Sequence, residues 1–84
     1  MQVIVTVIGT DKVGIIAQVT TKLAALNVNI LDVSQTIMQG AFTMMLLAKL
    51  PADADFGAIK ADLQDLGTDI GVEVKMARQE IFDA

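Results

Sequence analysis

The segment GTDKVG, residues 9–14, holds most of the chemically versatile side chains among the first thirty residues. It lies between two apolar segments and carries an acid, a base and two glycines. If a helix begins at Val13 or Gly14, its unpaired N–H groups and the positive end of its dipole favour a carboxylate. Asp11 can accept hydrogen bonds from an ammonium group, and Asn29 offers both a donor and an acceptor. We expect Asn29 to lie within reach of this turn, so the set suits a free amino acid.

The same residues also allow a purely structural interpretation. Asp11 can cap the first helix, Lys12 can be solvated, and Asn29 can end a turn. Their spacing does not decide between a ligand site and a helix cap.

The composition excludes several kinds of chemistry. The chain has no cysteine and no histidine, which removes disulfides, thiolate nucleophiles and the commonest zinc ligands. Its net charge is −4, and its six Lys and Arg residues are scattered, so direct nucleic-acid binding is disfavoured.

Length and hydropathy predict one domain over residues 1–84. Apolar residues make up 54% of the chain, but no run approaches the roughly 18–20 residues of a membrane span. Because a small domain has little interior, this apolar excess favours self-association. The missing cysteines and the absence of a leader pattern predict a cytoplasmic location.

Hydrophobic periodicity predicts six elements in the order βαββαβ. We expect strands at 2–8, 30–38, 42–50 and 72–76, and helices at 14–26 and 55–66. The first strand is expected to be central and buried on both faces. Gln39-Gly40 predicts a tight turn. Asp53 or Asp55 is the expected N-cap of the second helix, and Gly67 its C′ residue.

This order predicts an α+β, ferredoxin-like sandwich, a four-stranded antiparallel sheet with both helices on one face. The apolar residues expected on the open sheet face are Ile4, Ile8, Met38, Met45 and Leu47. The polar ones are Thr6, Ser34, Thr36, Thr43, Lys49 and Lys75. The mixture predicts a partner surface with Met45 and Leu47 in a homodimer contact, although scattered surface hydrophobes are the alternative. Ile81 and Phe82 are also expected to pack.

The segment from residue 9 to residue 50 resembles an ACT domain. The resemblance is carried by the Gly-x-Asp-x-x-Gly-Ile turn, the helix after it, Asn29-Ile30 opening the second strand, and the third strand. It extends over essentially the whole chain. The chain is most similar to small stand-alone ACT proteins and to the amino-terminal half of the glycine cleavage system's transcriptional repressor.

This resemblance implies a regulatory, non-catalytic domain that pairs through its sheet and binds an amino acid or similar small metabolite at the interface. Carried over by position, the implied ligand contacts are Asp11, Lys12, Val13, Gly14, Ile15, Asn29, Ile30 and Asp32. No metal or cofactor is implied. Many relatives carry proline at the position of Val13, so this helix start is less pre-organised. We expect no attached effector domain, which leaves open whether this chain acts on a partner protein or only binds a metabolite.

Four alternatives share this topology. An acylphosphatase-like enzyme needs an arginine in the first turn, whereas the single arginine here is Arg78. An RNA-binding module stacks bases on aromatic residues, and this chain has three Phe and neither Tyr nor Trp. Paired cysteines for a metal are absent, and Asp11 with Asp32 offers at best a weak hard-cation site. The remaining alternative is a dimeric interaction module that binds no ligand.

Overall fold

A computed structural model describes residues 1–79 and has the element order predicted from the sequence. The strands are β1 (Gln2–Thr10), β2 (Asn29–Met38), β3 (Ala41–Lys49) and β4 (Val72–Arg78). The helices are α1 (Ile15–Ala25) and α2 (Phe56–Ile70). The predicted fold class, a ferredoxin-like sandwich, is confirmed.

The four strands form one antiparallel sheet in the order β2-β3-β1-β4. β1 is therefore central, as expected, and it pairs with β3 from Gln2 opposite Lys49 to Thr10 opposite Ala41. The turn between β2 and β3 has positive φ at both central residues, 53° at Gln39 and 79° at Gly40. Two positive φ angles are what a two-residue type I′ hairpin requires.

The burial of β1 differs from the sequence prediction, because the strand is buried on one face only. Val3, Val5 and Val7 are 0% exposed beneath the helices, whereas the alternate residues are partly exposed and Ile8 reaches 39%. β-branched residues on both faces indicated double burial, but both helices cover the same face of the sheet.

The first helix buries a narrower face than its periodicity indicated. Ile15, Val19 and Leu23 are buried, but Ile16 is 41% exposed. One residue turns an α-helix by about 100°, so Ile16 points away from the sheet when Ile15 points toward it. Neither helix of the described residues is long and apolar enough to cross a bilayer.

The second helix begins as predicted and ends later. The Asp55 carboxylate caps it by accepting a 3.1 Å hydrogen bond from the Ala58 N–H. Gly67, the predicted C′ residue, is instead buried inside the helix, and Gly71 ends it with φ 76°. A Cβ on Gly67 would lie 2.7 Å from the Val72 carbonyl oxygen. The glycine therefore serves close packing against β4 and not helix termination.

β2 is an edge strand that the helices leave largely uncovered. All its residues except Ile30 are exposed. A bulge between Ile30 and Asp32 makes Leu31 an extra residue in the pairing with β3. Val33 and Ile37 lie opposite the buried residues Leu46 and Phe42, and thus on the helix side, yet they are 47% and 55% exposed.

The open sheet face has the composition that the sequence predicted. Register places Ile4, Met45 and Leu47 on it, and of these Met45 is 42% exposed. Ile81 and Phe82, which were expected to pack, lie outside the described residues.

Candidate functional site

The turn between β1 and α1 is tied to the β2–β3 hairpin. The Asp11 backbone N–H donates a 2.9 Å hydrogen bond to the Gly40 carbonyl. The polar turn therefore lies at the end of the sheet where β2 ends and β3 begins. Sequence spacing predicted the turn but gave no signal for this contact, which joins residues far apart in the chain.

No side chain within residues 1–79 caps the start of α1. Its N-cap is Gly14, with φ 92°, and no side chain of the described residues accepts a hydrogen bond from the first N–H groups. A β-carbon on Gly14 would be strained at this φ. The Gly14 carbonyl accepts the 2.9 Å hydrogen bond from the Gln18 N–H that opens the helix. The first N–H groups of the helix are thus left for water or a ligand.

Asp11 is not the cap that the structural interpretation required. Asp11 is exposed to solvent, and among residues 1–79 its carboxylate forms no hydrogen bond or ion pair. Lys12 is exposed and donates a long, 3.4 Å hydrogen bond to the Ile70 carbonyl. That contact places the ammonium at the C-terminal end of α2, where the helix dipole favours positive charge.

Val13 and Ile15, on either side of Gly14, have opposite environments. Val13 is fully exposed, at 103%, whereas Ile15 is 3% exposed and belongs to the core. Ile15 therefore anchors the start of α1 to the sheet, and Val13 is an apolar side chain that the described residues leave uncovered.

A groove of about 410 Å³ lies between this turn and the exposed helix side of β2. Its lining residues are Asp11, Lys12, Gly14, Ile15, Ile16, Ala17, Gln35, Ile37 and Phe42. Four of the sequence-predicted contacts, Asp11, Lys12, Gly14 and Ile15, are therefore brought together on one surface.

Five lining residues of this groove were missed as ligand contacts by sequence reasoning: Ile16 and Ala17 of α1, and Gln35, Ile37 and Phe42 of the β2–β3 hairpin. Gln35 lies opposite the buried Met44, so it is a polar residue on the helix side of β2, between Val33 and Ile37. That interruption of an apolar row was the available signal. The sequence could not show that α1 leaves this end of β2 open.

The other predicted contacts on β2, which are Asn29, Ile30 and Asp32, do not line this groove. Asn29 is opposite Lys49, which in turn is opposite Gln2, whereas Asp11 follows Thr10 at the other end of β1. At 3.3 Å per residue the two ends of β1 are roughly 26 Å apart. The expectation that Asn29 lies within reach of the turn is therefore wrong within one chain. β3 also separates β2 from β1.

Asp32 belongs to the bulge and to the open face of the sheet. Its Oδ1 accepts a 2.9 Å hydrogen bond from the Val33 N–H, and it lines a pocket of about 150 Å³ with Ile4, Met45 and Leu47. Since Asp32 lies opposite Leu47, and Leu47 opposite Ile4, it is distant from Asp11. The two carboxylates do not meet in one cation site within the chain.

Comparison with known proteins identifies the family. The family model for the ACT domain matches residues 1–77. The chain is 55% identical over 80 residues to a UPF0237 protein of Bifidobacterium longum, an alignment that covers 94% of this chain and 89% of the relative. The chain belongs to the ACT domain family. Domains of this family are typically regulatory and bind small ligands.

Solved structures also share the fold, and two of them illustrate the range of sequence identity. An ACT domain protein from Streptococcus pneumoniae superposes with a TM-score of 0.89 at 37% identity, over 100% of this chain and 96% of that one. A protein described as a candidate glycine cleavage system transcriptional repressor gives a TM-score of 0.83 at 18% identity. The match covers 90% of this chain and 45% of the repressor, and at this identity it shows the fold alone.

Proposed function

We propose that this chain is a non-catalytic regulatory domain that binds a free amino acid, or a similar small metabolite, at the interface of a homodimer. The observation that carries the proposal is the groove beside Asp11. It combines a carboxylate, an amide and the uncapped start of α1 with an apolar wall. Family membership supports the same role.

The start of α1, Asp11 and Gln35 each have a complement in an α-amino acid. The carboxylate of the ligand accepts hydrogen bonds from the first N–H groups of α1, whose dipole end is positive. Its ammonium donates to Asp11. Gln35 can donate to the carboxylate and accept from the ammonium, because a primary amide offers both. Lys12 lines the groove, but its ammonium points to the end of α2.

The dimer is proposed to form through β2. A ten-residue edge strand presents unpaired backbone groups to a second chain. In a two-fold antiparallel pairing centred on the strand, the Asn29 end of β2 in one copy lies beside the Met38 end of β2 in the other. Met38 is opposite Ala41, which is opposite Thr10. The proposed dimer thereby brings Asn29 and Ile30 of the second copy to the end of the sheet that holds the Asp11 turn, and we propose Asn29 as a further polar contact of the ligand. Within one chain Asn29 and Asp11 lie at opposite ends of the sheet.

The open sheet face supports a second candidate function. Ile8 and Met45 are 39% and 42% exposed there, and the small pocket beside Asp32 adds a recess. These features favour an interaction module whose dimer or effector protein docks on this face without a metabolite. Binding of an amino acid distinguishes the first function from the second.

A regulatory role without catalysis is consistent with the lining of the groove. Among the described lining residues, Asp11 is the one carboxylate, and none carries a hydroxyl or a thiol. Binding and release need only reversible contacts, and these groups supply them. We place this role in the cytoplasm, with an effector protein as the receiver of the signal.

A thermal-shift panel of the twenty amino acids tests the proposed function. A ligand at 100 times its Kd adds about 2.7 kcal/mol to the free energy of unfolding. Each kcal/mol moves the melting temperature of a domain this size by about 4–8 °C. One amino acid, or a chemically related set, is expected to raise it by several degrees. No shift with any amino acid would contradict the proposal and favour the interaction module.

A further inference from the structure

The apolar part of the groove is larger than amino-acid head-group recognition needs. Ile15 and Phe42, at 3% and 2% exposed, form its floor, and Ile16 and Ile37 form exposed walls at 41% and 55%. Isoleucine side chains at a site edge lose contact with water when a ligand covers them, and that burial is favourable only if the covering group is apolar. The apolar character of this wall therefore restricts the chemistry of the ligand's side chain.

The charges of the groove also disfavour a charged side chain on the ligand. Asp11 is the one carboxylate among the described lining residues, and the ligand's ammonium occupies it. A basic side chain on the ligand would find no second acid. An acidic side chain would depend on Lys12, whose ammonium lies at the Ile70 carbonyl, 3.4 Å away. A charged side chain placed against Ile16 and Ile37 would thus lose its hydration without a partner.

We infer that the groove selects amino acids with aliphatic side chains. The inference rests on the proposed function and deepens it by naming the ligand class. The head group binds Asp11, Gln35 and the start of α1, and the side chain lies against Ile16 and Ile37.

A homologous series measures this selectivity directly. Glycine, alanine, 2-aminobutyrate and norvaline share one head group and differ by one carbon each. By calorimetry, Kd is expected to fall about fourfold for every buried carbon. Valine, leucine and isoleucine are expected to bind more tightly than serine, aspartate or lysine.

A pair of variants tests whether the groove causes this gradient, the fall in Kd with each added carbon. Ile37→Ala removes one wall and is expected to reduce the fall in Kd per added carbon, whereas the Kd of glycine stays the same. Ile8→Ala is the matched control, because Ile8 is a similarly exposed isoleucine on the opposite face of the sheet. It is expected to leave the gradient unchanged.

The outcomes separate this inference from the function on which it rests. If glycine, serine or a charged amino acid binds most tightly, the aliphatic selectivity is wrong and the amino-acid function stands. If the gradient survives Ile37→Ala, the assignment to this wall is overturned. If no amino acid binds the folded protein, the inference and the proposed function fall together.

Discussion

At the scale of single residues, Asp11 distinguishes binding from stability. Its carboxylate caps no helix and pairs with none of the described residues. Asp11→Ala is therefore expected to change the free energy of unfolding by about 0.5 kcal/mol or less, and to abolish amino-acid binding measured by calorimetry. Asp53→Ala, the same change at another exposed aspartate, is the control and is expected to bind normally. Unchanged affinity in a folded Asp11→Ala protein would remove Asp11 from the site.

Two glycines of α2 give a matched test of packing. A Cβ on Gly67 would lie 2.7 Å from the Val72 carbonyl oxygen, whereas one on Gly57 would lie 3.5 Å from Asp55 Oδ1. Gly67→Ala is expected to lower the free energy of unfolding by about 1–3 kcal/mol, because overpacking outweighs the helix propensity of alanine. Gly57→Ala is expected to leave it unchanged or to raise it. Urea denaturation measures both, and equal effects would show that Gly67 is not a packing residue.

At the scale of the elements, β2 and the open face are competing sites of association. Val33→Lys places like charges near each other in the antiparallel pairing of two β2 strands and is expected to shift the protein to monomer. Leu47→Lys makes the same change on the open face, where the sequence predicts a contact. Light scattering gives the mass of each variant. Dissociation by Leu47→Lys alone would make the open face the interface and contradict pairing through β2.

The helices and strands also show which features of the fold local sequence predicts. The order of strands and helices, the Gln39-Gly40 turn and the Asp55 cap each depend on neighbouring residues, and the structure confirms them. The predicted end of α2 at Gly67 was wrong because this glycine is required by close packing against β4. β4 is a separate strand that the helix contacts only in the folded protein. The double burial expected for β1 failed for the same kind of reason, since it depends on which face the helices cover.

The candidate site depends on still longer-range information. The sequence predicted the Asp11 turn, but Gln35, Ile37 and Phe42 join it through strand order and through the uncovered end of β2. Asn29 was placed beside Asp11 on the assumption of neighbouring strands, whereas register puts it at the far end of the sheet. In the proposed dimer a second copy of the chain supplies Asn29 to the end of the sheet that holds Asp11, and no residue near either one in the sequence indicates such a contact.

At the scale of the whole molecule, the central claim is that each site uses Asp11 of one copy and Asn29 of the other. Mixing Asp11→Ala and Asn29→Ala proteins, each expected not to bind, tests it most directly. After subunit exchange half the dimers are mixed, and each holds one intact site. Calorimetry is then expected to find about one quarter of the wild-type number of sites, at wild-type affinity. Normal binding by Asn29→Ala alone, or no binding by the mixed dimers, would contradict the account.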